Sequence, residues 1–207
     1  VLNVPSSSEI ITCHDGSVHA SAELADDSFS PPVEDRGACR SVADAVAAEH
    51  RANARLWRLE DEARRPDGDD ALIARVKRAI DAWNQSRNDW IERIDELALA
   101  RLSEQATAPP AGRLHSETYG MMVDRLSILA LKIHHNGIYA ADAERAGDTA
   151  LAEECRARVA VLREQRRDLA ACLDALASDF VAGRARFKVY RQLKAYNDPR
   201  LNPAFRD

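Results

Sequence analysis

Glycine and proline are scarce in this chain, eight of each in 207 residues. With so few helix breakers, and with alanine, arginine, leucine and glutamate dominating, helix is favoured nearly throughout. No segment shows the two-residue alternation of a half-buried strand, and no internal repeat is present. No apolar run approaches the ~20 residues that cross a membrane, and no signal-peptide pattern is read at the start. The four cysteines (Cys13, Cys39, Cys155, Cys172) include no CxxC pair. Cys155 and Cys172 fall on one expected helix, too far apart to bridge, so a reducing, cytoplasmic location is expected. A large positive charge is also missing: the net charge of −5 argues against a general nucleic-acid binder. Catalytic signatures are equally absent, with no Walker loop, no GxSxG and no zinc-ligand spacing. No ExxH pair occurs, which disfavours a di-iron bundle, and neither a metal nor a cofactor is expected.

What is present reads as helices. Ser7 and Ser8 before Glu9 start a short helix with Ile10, Ile11 and Val18, and it carries His14-Asp15. The polar stretch Ser21–Gly37, with Pro31-Pro32, is a linker, so residues 1–37 form an N-terminal segment and 38–207 the main domain. A first long helix is expected from Ser41 to Arg65, stopping before Pro66-Asp67-Gly68, with Ala45, Leu56, Leu59 and Ala63 as its apolar stripe. A second follows Asp69-Asp70 and continues to Gln105, burying Leu72, Val76, Trp83, Trp90, Ile94 and Leu97. The Pro109-Pro110-Ala111-Gly112 loop separates it from a third helix, which reaches Tyr139 with Asn136-Gly137 interrupting its end. Asp148 caps a fourth, which carries Leu151 through Phe180 and ends by Gly183. Four long helices with short connections make an all-α antiparallel bundle, with a short N-terminal helix and a helical or extended C-terminal tail. In that tail Phe187, Tyr190 and Leu193 are expected to pack, and Asn197-Asp198-Pro199 to end any helix.

The third helix is where charge and apolar character collide. Met122, Leu126, Leu129 and Ile133 recur at helical spacing, yet Asp124, Arg125 and Lys132 sit among them. Buried cations need a partner, either a carboxylate or a bound anion. Together with Arg87 on the second helix, Arg125 and Lys132 make a candidate anion site between helices. Ser116 and Thr118 open the third helix and offer free backbone N–H groups to the same anion. The opposing interpretation is a structural network in which Asp124, Glu60 and Asp95 neutralise these cations. A second line on the first long helix, His50, Asn53, Trp57, Glu60 and Arg64, is a heptad-like seam of polar groups and one tryptophan. Trp57 and Asn53 could face a ligand there, and His50, Glu60 and Asp124 are the proton-transfer candidates.

Three phrases carry a resemblance: HRANARLWRLEDEAR (50–64), SETYGMMVDRLSILALKIHH (116–135) and FKVYRQLKAYNDPRLNP (187–203). With Asn84, Arg87-Asn88-Asp89 and His14-Asp15 they resemble the bacterial domain-of-unknown-function family 4254, from about residue 8 to 203. Tyr119 departs from that pattern, where proline is expected. The family has no assigned activity, and its members accompany cell-envelope glycan genes. The resemblance therefore implies a setting in glycan metabolism rather than a reaction. The resulting expectation is a protein binding a small anionic metabolite, a sugar phosphate or nucleotide-sugar. The alternative is a non-catalytic scaffold, the protein partner of a glycan-assembly enzyme.

Overall fold

The computed structural model describes residues 2–20, 29, 35–109, 111–195 and 199–205. Pro31-Pro32, most of the expected linker, Tyr196 and Asn197-Asp198 lie outside the described residues. The fold is all-α: α1 (Ser7–Ala20), α2 (Val42–Glu62), α3 (Asp70–Gln105), α4 (Tyr119–Arg145) and α5 (Thr149–Val181). Each long helix begins where a capping side chain can take a free N–H. Ser41 accepts from Asp44, Asp69 from Leu72, Thr118 from Met121 and Asp148 from Leu151. α2 pairs with α3 and α4 with α5 as two helical hairpins, and α1 lies across α2, α4 and α5. α1 is tied down by Ser7, whose N–H and hydroxyl both reach Asp174 (2.9 and 2.6 Å), and by an Asp15–Arg166 ion pair of 2.7 Å.

α4 does not stop near Asn136-Gly137, as the sequence suggests, but continues to Arg145. A lone glycine costs a helix only about 1 kcal/mol, which packing against α5 outweighs. The turn comes instead at Gly147, whose φ of 79° lets Asp148 N–H reach back to the Ala143 carbonyl at 2.9 Å.

The main core joins Ala45 and Val46 of α2, Ile94 and Leu102 of α3, Met122 and Leu126 of α4, and Leu173 and Phe180 of α5. A second cluster fills the far end of the α2–α3 hairpin with Leu56, Leu59, Val76, Ile80 and Trp83. A third, smaller one joins Val18, Ala54, Ala130 and Leu131, with Trp57 against it. Tyr119 is a fully buried ring whose hydroxyl donates to the Pro5 carbonyl at 2.5 Å.

A small parallel strand pair, β1 (Arg113–Leu114) with β2 (Ala185–Arg186), joins the α3–α4 loop to the chain after α5. No strand was expected, because two-residue strands leave no periodicity to read. Gly112 allows the approach: a Cβ there would lie 2.0 Å from the Arg184 carbonyl. In the tail, Phe187 is buried and packs on Phe180, with ring centroids 5.3 Å apart. Tyr190 and Leu193 are exposed, contrary to the packing expected of them. Arg191 holds this segment to α3 through Glu92 (2.7 Å) and Glu96 (2.5 Å).

Candidate functional site

Between the second and third clusters an inter-helix pocket of about 390 Å³ opens to solvent. Its α2 wall is the polar seam, in the persons of Asn53, Trp57, Glu60 and Arg64, joined by Leu56 and Asp61. α3 contributes Asn84 and Arg87, and α4 contributes Ile128 and Leu131. The Trp57 indole is stacked on His135 of α4, with centroids 4.4 Å apart and planes 8° from parallel. At the rim, Arg64 is committed to Glu60 at 2.7 Å. Arg87 is paired more loosely, with Asp124. Its Nε is buried, lies 3.7 Å from Asp124 Oδ1 and makes no hydrogen bond among the described residues.

Behind Asn53 and Arg87 the polar groups continue into the core. The Asn53 amide donates to Asp124 Oδ1 (2.9 Å) and Ser127 Oγ (3.0 Å), and makes a short contact with Glu49 Oε1. Ser127 Oγ also meets His50 Nδ1 at 2.8 Å. If the hydroxyl accepts from Asn53 it donates to Nδ1, which assigns the ring proton to Nε2. The His50 ring stacks on His14 of α1, with centroids 4.6 Å apart. His14, Glu49, His50, Asn53 and Ser127 are all buried. Among the described residues several of their polar atoms have no hydrogen-bond partner: both His14 ring nitrogens, His50 Nε2 and Glu49 Oε2.

Electrostatics follow from this burial. Desolvation, reinforced by the Asp124 carboxylate, pushes Glu49 well above the usual carboxylate range, against the opposing pull of Arg87 and Ser127. Glu49 is therefore favoured as a neutral acid. Desolvation pushes His50 down to about 4, despite the opposing effect of Asp15. His14 is driven well below its ordinary value by desolvation, with His50 and Arg166 adding to it. Both rings are thus neutral at physiological pH. Among the described residues no group of three or more His, Cys, Asp or Glu side chains is placed to hold a metal ion.

The sequence-derived site is only partly assembled. Asn53, Trp57, Glu60 and Arg87 line the pocket, and Asp124 stands behind it. Of the proton-transfer candidates, His50 is sealed in the interior, Glu60 is paired at the rim and Asp124 is held by Asn53 and Arg87, so the three do not converge. The cationic trio does not converge either. Arg125 is exposed and paired with Glu117 at 2.5 Å, and Lys132 is exposed and outside the pocket wall. Both sit on the flank of α4 that meets water, where a long side chain extends its charge outward rather than losing its hydration. The expected anion cradle at the start of α4 is filled by the protein itself. Ser116 is exposed, Thr118 caps the helix, and Gly120 N–H donates to Asp95 Oδ1 at 2.6 Å. Burial pushes Asp95 up to about 6.

Sequence reasoning missed Glu49 and Ser127. Glu49 had a legible signal: it lies on the same stripe as Ala45, Ala52, Leu56 and Leu59, so an acid was being placed in the core. Ser127 gave none, since a serine among leucines is ordinary in a helix. His135, from α4, backs Trp57 and was not among the residues singled out from the sequence.

Residues 43–189, more than two thirds of the chain, match the family described as "Protein of unknown function (DUF4254)". No curated protein and no solved structure matches the chain. No helix among the described residues is long and apolar enough to cross a membrane.

Proposed function

The chain belongs to the DUF4254 family, whose description carries no activity, so we propose a function from the pocket's own chemistry: the protein binds a small anionic metabolite with a ring attached. One observation carries this reading. Arg87 presents a guanidinium in the wall of a roughly 390 Å³ pocket, with its Nε buried and unbonded and its nearest carboxylate 3.7 Å away. Such a group is under-satisfied, and a phosphate or carboxylate can accept two parallel hydrogen bonds from it. Asn53 and Asn84 supply amides for hydroxyl groups, and Trp57, braced by His135, supplies a flat apolar wall. A sugar phosphate or nucleotide-sugar satisfies all three demands, and Arg87 replaces the trio read from the sequence as the anion ligand.

Thermal unfolding in the presence of a panel of sugar phosphates and nucleotide-sugars tests the reading. A specific ligand raises the midpoint by mass action, adding about 2.7 kcal/mol to stability when present at one hundred times its Kd. Arg87→Met should abolish that rise. A panel without effect at millimolar concentration, or a shift that survives Arg87→Met, refutes the assignment.

A further inference from the structure

Arg87 faces two carboxyl groups, not one. Asn53 Nδ2 touches both Asp124 Oδ1 and Glu49 Oε1, so the two acids share one buried neighbourhood in which Arg87 is the nearby cation. Like charges so close in a poorly hydrated space cannot both be ionised cheaply. One proton therefore stays with the pair, and one negative charge remains to balance Arg87. Glu49 is the fully buried member, and Asp124 is the partly exposed one that pairs with Arg87.

We infer that Asp124 is the ligand's built-in competitor for Arg87, and that an incoming anion takes the guanidinium and leaves Asp124 to Glu49 and Asn53. The inference rests on the pocket reading above. Asp124 is the carboxylate that balances Arg87, at 3.7 Å from Nε, too long for a hydrogen bond but close enough for charge compensation. When a phosphate or carboxylate takes the guanidinium, Asp124 needs another donor. Glu49, whose carboxyl already meets Asp124, offers one as long as it keeps its proton, and Asn53 bonds Asp124 as well. The burial that holds Glu49 neutral thus makes room for the ligand's charge.

Other charged groups around this pair can be accounted for. α1 brings His14 and Asp15, and α2 adds His50, with Glu60 and Asp61 at the rim. α3 contributes only Arg87 to the pair, α4 adds His134 and His135 beyond Trp57, and α5 contributes Arg166, which is already tied to Asp15. His14 and His50 are held neutral by burial, so they do not change charge above mildly acidic pH. His135 stacks on the Trp57 wall and His134 stands beside it, so the variants are compared at a single pH.

The experiment is calorimetric titration with glucose 6-sulfate at about pH 7, an anion whose charge is fixed there. Asp124→Asn removes the competitor and should bind the probe roughly tenfold more tightly than the parent. Glu49→Gln keeps a donor beside Asp124 and should bind the probe about as tightly as the parent, whereas Glu49→Leu removes that donor and should bind it roughly tenfold more weakly. Equal or weaker binding by folded Asp124→Asn overturns the inference, as does equal binding by Glu49→Gln and Glu49→Leu. If Asp124→Asn does not fold, the two Glu49 variants decide alone. Absence of probe binding to the parent and to every variant is a different failure and overturns the pocket reading itself.

Discussion

Replacing His50 with glutamine puts a number on the buried histidine stack. The ring is 1% exposed, hydrogen-bonded to Ser127 at 2.8 Å and stacked on His14. Burial lowers it from 6.5 to about 4. A histidine whose folded value is depressed binds fewer protons folded than unfolded, so its contribution to stability rises with pH between those two values. It is complete above the unfolded value and shrinks as pH falls toward the folded one. Between pH 7 and about pH 4.5 the loss amounts to roughly two units at 1.36 kcal/mol each, or about 3 kcal/mol. Glutamine cannot titrate and keeps a polar contact for Ser127. At pH 7 it should cost about 1 kcal/mol for the lost stack and altered hydrogen bond. Urea unfolding of both proteins across this pH range gives the difference directly, which matters because Glu49 and Asp95, both raised, impose slopes of the opposite sign on the total. The variant should gain about 3 kcal/mol relative to the parent on acidification. A pH-independent difference would mean that His50 titrates as it would in water, and the case for a dry interior cluster would fail.

The remaining expectations are simpler. Gly120→Ala would place a Cβ 2.5 Å from the Ile91 carbonyl and 3.0 Å from Asp95, so α3 and α4 must separate; urea unfolding should show a loss of about 1–3 kcal/mol, and an unchanged midpoint would refute the close approach. Lys132→Met, by contrast, alters an exposed side chain outside the pocket; its stability should stay within about 0.5 kcal/mol of the parent and any ligand response should persist, whereas loss of that response would restore Lys132 to the site.

How far the sequence could be read depends on whether a feature is local. Helix starts at Ser41, Asp69, Thr118 and Asp148 were legible because a cap is satisfied by the N–H groups just after it. The seam of Asn53, Trp57, Glu60 and Arg64 was legible because helical periodicity puts these residues on one line. Charge placement on α4 was misread for the complementary reason. Periodicity says which residues share a flank but not which flank a neighbour covers, and Arg125 and Lys132 share the one left to water.

By itself the sequence determined the helical class, the long helices and the polar line that became a pocket wall, since these follow from propensity and spacing along one chain segment. Only the tertiary structure decided that Arg87 of α3 meets Asp124 of α4, that His14 of α1 covers His50 of α2, and that Asp95 of α3 fills the N-terminus of α4. Each of these pairs joins residues far apart in sequence. Whether a charge ends up paired, buried or solvated is set by the dielectric and the partners that packing brings to it, and no single helix carries that information.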